Sequence, residues 1–180
     1  MADTSTKNRE VELTFLASRL PAELAAVTPV RLIDVFFPDD LNVNSKLRLR
    51  QKGERFELTK KVLVNPSDPS VQEELTIPLT SEEFQSMQKA SAKRVEKDRY
   101  KFDVNGHTAE VDVFLNSLNG LVVVEFEFDS ESERDTFKAP DFCLVDITPE
   151  EFIAGGKLAG KSLEELSADL DRYHYKPLYR

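Results

Sequence analysis

At 180 residues with 40% hydrophobic content and no compositional break, the chain is long enough for one well-buried core, so a single domain spanning 1–180 is expected. The formal net charge of -9 repels phosphodiester backbones at long range and argues against nucleic acid as a partner. One cysteine, Cys143, excludes an internal disulfide; the polar N-terminus and the absence of a long apolar run point to a soluble cytoplasmic protein, monomer or homodimer, with no membrane contact.

From the N-terminus, Arg9 to Phe15 alternates strictly, with Glu10, Glu12 and Thr14 on one face and Val11, Leu13 and Phe15 on the other, which predicts a strand. A short helical stretch is expected from Pro21 to Ala26, then a strand over Val30 to Phe37 that Pro38-Asp39-Asp40 ends. Lys46 to Gln51 and Glu54 to Val62 flank Lys52-Gly53 and read as a hairpin. Arg48 and Arg50 share one of its faces; on the return strand Glu57, Thr59 and Lys61 share a face, so Lys61 points with the arginines and Lys60 away. Asn65 to Ser70 reads as a loop and Val71 to Leu79 as a strand with Glu74 on its polar face. Thr80 with Glu83 makes a capping box for a helix to about Ala92.

Asn105-Gly106 and Asn119-Gly120 then separate alternating runs, predicting a three-stranded meander. Its strands carry Lys97, Arg99 and Lys101, then Glu110 and Asp112, then Glu125, Glu127 and Asp129. Three short helices are expected to follow, opened by Ser130 with Glu133, by Thr148 with Pro149 and Glu151, and by Ser162 with Glu165.

A solvated strand face normally mixes charge signs, whereas here like charges repeat on one face: Glu10 with Glu12, Arg48 with Arg50, Lys97 with Arg99 and Lys101, Glu125 with Glu127. Repulsion at that spacing is tolerable when a ligand of opposite charge sits between the groups. Carboxylate pairs suit a hard divalent cation, and guanidinium and ammonium groups suit phosphate, so a metal-bound polyphosphate answers both. Val11, Leu49, Val111, Val123 and Phe126 are then expected to pack outward under helices, around a polar bore.

These residues resemble the CYTH superfamily, the triphosphate tunnel metalloenzymes, along nearly the whole chain. The family's opening Glu-x-Glu-x-Lys is similar to Glu10-Val11-Glu12-Leu13-Thr14. Its Arg-x-Arg strand and Leu-Thr-x-Lys return resemble Arg48-Leu49-Arg50 and Leu58-Thr59-Lys60-Lys61. Its Lys-x-Arg, Glu-x-Asp-x-Phe and Glu-x-Glu strands resemble Lys97 to Arg99, Glu110 to Phe114 and Glu125 to Glu127. The resemblance implies an α+β fold: a closed, eight-stranded, mostly antiparallel β-barrel with a polar interior and helices packed outside. It implies phosphate binding by Arg48, Arg50, Lys61, Lys97 and Arg99, and Mg²⁺ or Mn²⁺ on Glu10, Glu12, Glu125 and Glu127. Glu74, Lys101, Glu110 and Asp112 would support them. The implied activity is metal-dependent hydrolysis of triphosphates, inorganic triphosphate first because no aromatic is evident for stacking a base. The other readings are a polyphosphate- or nucleotide-binding module without turnover, and a class IV adenylate cyclase.

Two positions depart from the family. Thr14 stands where the opening motif has lysine, which puts the rate of catalysis in question; the segment Thr148 to Phe152 lacks the lysine found where related chains close the tunnel. Lys157 or Lys161 is the candidate replacement for that lid lysine. Both lie in Gly155 to Ser162, which matches the P-loop pattern Gly-x4-Gly-Lys-Ser, but a capped helix and not a buried strand is expected before it, so it reads as a glycine-rich link between helices. His107 and His174 have no partner at metal spacing, and Tyr173, Tyr175 and Tyr179 read as a C-terminal tail docking on the barrel.

Overall fold

Every strand expected from alternation forms, and each runs antiparallel to its neighbours. The computed structural model describes residues 6–180; the extreme N-terminus, whose polar character was weighed above, lies in part outside them. The strands are β1 (Thr6–Ala17), β2 (Val30–Phe37), β3 (Leu47–Lys52), β4 (Arg55–Asn65), β5 (Asp68–Leu79), β6 (Arg94–Val104), β7 (His107–Phe114), β8 (Val122–Phe128) and β9 (Cys143–Asp146). They are ordered β5-β4-β3-β2-β6-β7-β8-β1-β9, and a β5–β1 pairing closes eight of them into a barrel with β9 outside the ring. Closure satisfies strand edges that would otherwise be exposed. β1 achieves it by serving three partners: Thr6 to Val11 pairs β5, Val11 to Leu16 pairs β8, and Phe15 to Ala17 takes β9.

Four details differ from the sequence expectation. β9 was not foreseen, because its four residues are too short for alternation to register. The Asn65–Ser70 loop contracts to a tight turn with Asn65 paired to Asp68; the Asn65 side chain accepts from Ser67 and the Asp68 side chain from Ser70, so local side-chain bonds replace loop backbone. Asn105 and Gly106 both have positive φ, as a two-residue hairpin turn requires, but the Asn119-Gly120 link is longer and contains a 3-10 turn over Asn116–Leu118. Thr148 caps no helix: its hydroxyl accepts from the Thr14 N–H and donates to Asp146, tying the C-terminal segment to β1.

The helices are short. α1 (Ser81–Met87) is entered through the Thr80–Glu83 capping box and decays into a 3-10 turn, stopping before Ala92; α2 (Glu131–Thr136) is capped by Ser130. α3 (Gly155–Leu158) and α4 (Ser167–Asp171) follow β9, and among the described residues no helix is long and apolar enough to cross a membrane. Outside the barrel, Phe84 of α1 packs on Val35 and Leu49, while Val11, Phe15, Val111, Val124 and Phe126 share a second cluster with Phe137 and Phe142.

Val123 corrects the expected outward set: it has the parity of Glu125 and faces the bore. With Leu16, Phe36, Val95 and Phe114 it makes one end of the bore apolar, where Ile147, Leu158, Leu166 and Leu170 pack in as a floor. Tyr175 anchors that floor, its hydroxyl donating to the Gly120 carbonyl and accepting from the Val122 N–H, so the tyrosine-rich tail docks as expected. The P-loop-like glycines belong here too. Gly155 and Gly156 open α3, whereas Gly160, with positive φ, lies in the link after it, where the Ser162 hydroxyl accepts from the Glu165 N–H; a Cβ on Gly156 would lie 2.1 Å from the Ser45 carbonyl oxygen, one on Gly155 2.8 Å from the Phe36 ring. Glycine is required for that close approach, not for cradling phosphate.

Candidate active site

Above the apolar floor, the same parity that buries Leu16 and Val123 turns a belt of charged side chains into the bore. β1 supplies Glu10 and Glu12, β3 Arg48 and Arg50, β4 Thr59 and Lys61, β5 Gln72 and Glu74, β6 Lys97 and Arg99, β7 Glu110 and Asp112, and β8 Glu125. The belt borders a cavity of about 170 Å³ lined on its far side by Thr148, Glu150, Gly155 and Gly156.

The belt is organised as interlocking ion pairs. Asp112 accepts two bonds from Arg99 at 2.6 Å each and also meets Lys97; Arg99 continues to Glu110 and to Glu125 at 2.5 Å, and Glu110 also pairs Lys101. Across the bore, the Lys61 ammonium lies 2.7 Å from Glu10, 3.1 Å from Glu12 and 4.0 Å from Glu74, while Glu74 accepts from Arg48 at 3.2 Å. The sequence reading missed two members. Asp34, alone in apolar β2, forks Arg50 with two 2.7 Å bonds, and Gln72 donates to Glu12 at 2.6 Å. An isolated carboxylate at inward parity in a strand otherwise rich in Val, Leu, Ile and Phe was the available signal for Asp34.

Electrostatics divide the acids into two groups. Burial alone would raise the Asp34 and Glu125 pKa values, but Arg50 at the first and Arg99 with Lys97 at the second outweigh it and hold both carboxyls well below the usual range. Glu12 and Glu127 go the other way. Burial raises Glu12, opposed by Lys61 and reinforced by Glu125 and Glu10; burial followed by Glu110 and Glu10 raises Glu127. Among the cations, burial and then Arg50 lower Arg48, whereas the carboxylates of Glu12 and Glu10 overcome burial and raise Lys61.

Those directions bear on metal binding. Glu12 stands directly opposite Glu127 in the β1–β8 register; burial and neighbouring carboxylates raise both, at Glu12 against Lys61, and both offer the hard oxygen donors a divalent cation takes. Among the described residues no three His, Cys, Asp or Glu side chains converge into a ready cage. That suits an ion that keeps much of its coordination for water and substrate phosphate and uses one or two carboxylates. Of the four glutamates expected to hold the ion, the facing pair Glu12 and Glu127 fits and would hold it, while Glu125 is bonded to Arg99 at 2.5 Å and Glu10 lies 2.7 Å from Lys61.

The remaining sequence candidates separate. Glu127 and Lys101 sit at the exposed rim, and Lys60 points outward to solvent. Lys157 donates to the Asn42 carbonyl at 2.9 Å, and neither it nor Lys161 borders the cavity, so the glycine-rich segment brings backbone and not a lysine to the site. Lys46, passed over in the sequence although it shares the parity of Arg48 and Arg50, does border it. His107 packs edge-on against Phe128 and Phe137, away from the belt. Burial pushes the Cys143 thiol up to about 12, leaving it unreactive.

The chain is similar to known inorganic triphosphatases. Over 145 residues the chain is 35% identical to an inorganic triphosphatase of Nitrosomonas europaea, covering 78% of this chain and 90% of that protein. A 54-residue stretch is 44% identical to an inorganic triphosphatase of Acetivibrio thermocellus, 30% of this chain and 33% of that one. A crystal structure of an inorganic triphosphatase matches with a TM-score of 0.61 at 27% identity, over 83% of this chain and 93% of its own. No family model matches. With a closed barrel, a charged bore and a relative of this similarity over most of its length, the chain belongs to the inorganic triphosphatases of the CYTH superfamily.

Proposed function

We propose that this protein hydrolyses triphosphates, inorganic triphosphate foremost, in a reaction that depends on Mg²⁺ or Mn²⁺. The observation that carries the reading is the belt itself: five cations, Arg48, Arg50, Lys61, Lys97 and Arg99, converge with carboxylates inside a closed barrel. A compact polyanion is the ligand that such a bore suits, because it neutralises several buried cations at once.

Phosphoryl transfer needs positioning and charge neutralisation more than covalent help from the protein. Arg50 and Arg99 are held by bidentate bonds from Asp34 and Asp112, so their guanidinium groups are oriented before substrate arrives and need not reorganise as charge develops. Arg48 is bonded through one terminal nitrogen, and its buried Nε has no partner, leaving a donor for a phosphate oxygen. The apolar floor excludes water from one end of the bore. When bound, the divalent ion supplies Lewis-acid neutralisation of phosphate charge. Phe36 and Phe114 border the cavity, contrary to the expectation of no aromatic there, but at 3% and 4% exposure their rings are spent in floor packing and offer no face to a base. That supports inorganic triphosphate over nucleotides.

Incubation with inorganic triphosphate, ATP and thiamine triphosphate, each with Mg²⁺ or Mn²⁺, tests the proposal through release of phosphate, pyrophosphate and cyclic AMP. Metal-dependent phosphate release from triphosphate is expected. Tight binding with no product would instead support a second reading, a polyphosphate-binding module. What favours that reading is Thr14, which borders the cavity without an ionisable group and whose N–H is already bonded to Thr148.

A further inference from the structure

All five belt cations assigned to phosphate are in ion pairs, Arg48 through one terminal nitrogen to Glu74, and the donors left over are not scattered. Arg50, Lys61, Lys97 and Arg99 are paired by Asp34, by Glu10 and Glu12, by Asp112, and by Asp112 with Glu125. The leftover donors lie together on the β3–β4 wall. Arg48 Nε is buried without a partner, and so is the hydroxyl of Thr59, its cross-strand neighbour. Lys46 is next on the same face toward the floor, and among the described residues its ammonium makes no ion pair. Its backbone is anchored, since its carbonyl accepts from the Lys61 N–H at 3.3 Å.

The acids nearest Lys46 are otherwise engaged. Glu150, which also borders the cavity, pairs with Arg172 at 2.7 Å, and Glu151 accepts from Asn44 at 3.0 Å. Burial lowers the Lys46 pKa and Glu151 opposes it without closing to an ion pair. Buried unsatisfied donors such as Arg48 Nε and the Thr59 hydroxyl mark where a ligand supplies what the protein withholds, and Lys46, exposed at the cavity edge, adds a charge beside them. Residues 46, 48 and 50 advance along the wall in steps of about 6.6 Å, so a phosphate chain lying on Arg50 and Arg48 extends toward Lys46.

Resting on the triphosphatase reading, we infer that Lys46 is a further substrate-binding residue, which with Arg48 Nε and the Thr59 hydroxyl seats the end phosphate and so selects triphosphate over pyrophosphate.

The test compares Lys46→Ala and Lys46→Arg with Lys60→Ala, which removes the same charge from the outer face of β4. Steady-state kinetics with triphosphate are combined with calorimetric titration of triphosphate and of pyrophosphate in metal-free buffer. Lys46→Ala is expected to raise KM and weaken triphosphate binding about tenfold or more, with pyrophosphate affected about twofold at most. Lys46→Arg should restore most of the loss, and Lys60→Ala should match wild type. Triphosphate binding by Lys46→Ala equal to wild type, a loss shared by Lys60→Ala, or an equal loss for both anions would each overturn the inference. Wild type that binds triphosphate without hydrolysing it would defeat the hydrolase reading alone, because the binding titration still reads Lys46.

Discussion

Thr14 and Leu16 are neighbours on the inner face of β1, yet they open onto different environments. Around Leu16 the bore is apolar, with Phe36, Val95, Phe114 and Val123 packed against α3, α4 and the segment between them. Around Thr14 it is charged, with Glu125 directly opposite in register and the Asp112–Arg99 and Asp34–Arg50 forks beyond. The two regions share strands, parity and closure, and differ in what covers them. Where the C-terminal segment enters, the inner face behaves as a core; where it stops, burial can be sustained only by pairing each charge. The floor thus holds the barrel together and, on the proposed function, the belt holds its ligand, so the two should fail differently.

Arg99→Ala should produce the largest effect, because it strands Glu125 and leaves Asp112 to Lys97 and Glu110 to Lys101 alone. A stability loss of about 3–5 kcal/mol by denaturant unfolding, with triphosphate binding abolished, is expected. Acidification should act next on the same region and in the same direction. Asp34 and Glu125 have depressed pKa values in the folded state, so their contribution is present above the unfolded carboxylate range and is lost as pH falls below about 4. Denaturation midpoints at pH 7, 4 and 3 would show it; an unchanged midpoint across that range would break the assignment of the belt as a linked network. Leu16→Ala, in the floor, should cost about 2–4 kcal/mol with the same pH slope as wild type and unaltered affinity for triphosphate. Gly156→Ala should cost about 1–3 kcal/mol by forcing α3 away from Ser45, and if triphosphate KM rises with it, floor and belt are coupled and not separable.

Much of the belt was legible without coordinates because a strand has a period of two. Once Glu10, Arg48, Lys97 and Glu125 were placed on strands, their neighbours at spacing two fell on the same face, and Lys61 separated from Lys60 by parity alone. Asp34 escaped because a single acid among apolar residues makes no pattern, and Lys46 because, although it opened the expected strand with the parity of Arg48 and Arg50, it matched no motif of the family. Lys157 and Lys161 were offered as lid candidates from a motif, and neither borders the cavity, while Gly155 and Gly156 of the same motif serve the packing on Phe36 and Ser45. Val123 shows the limit of hydrophobic pattern most clearly. Its neighbours Val122 and Val124 are also apolar, so hydrophobicity could not separate the three, although parity with Glu125 two residues on places Val123 inward.

The sequence by itself determined the strands, their parity, the alternation of acids and bases and the resemblance to a family, because each follows from spacing along the chain. Only the tertiary structure decided which end of the bore is closed, which acid holds which base, and which donors are left for a ligand. Those depend on residues far apart in the chain meeting across a closed ring. Arg50 finds Asp34, Lys61 finds Glu10 and Glu12, and Lys46, with no such partner, is left facing the cavity.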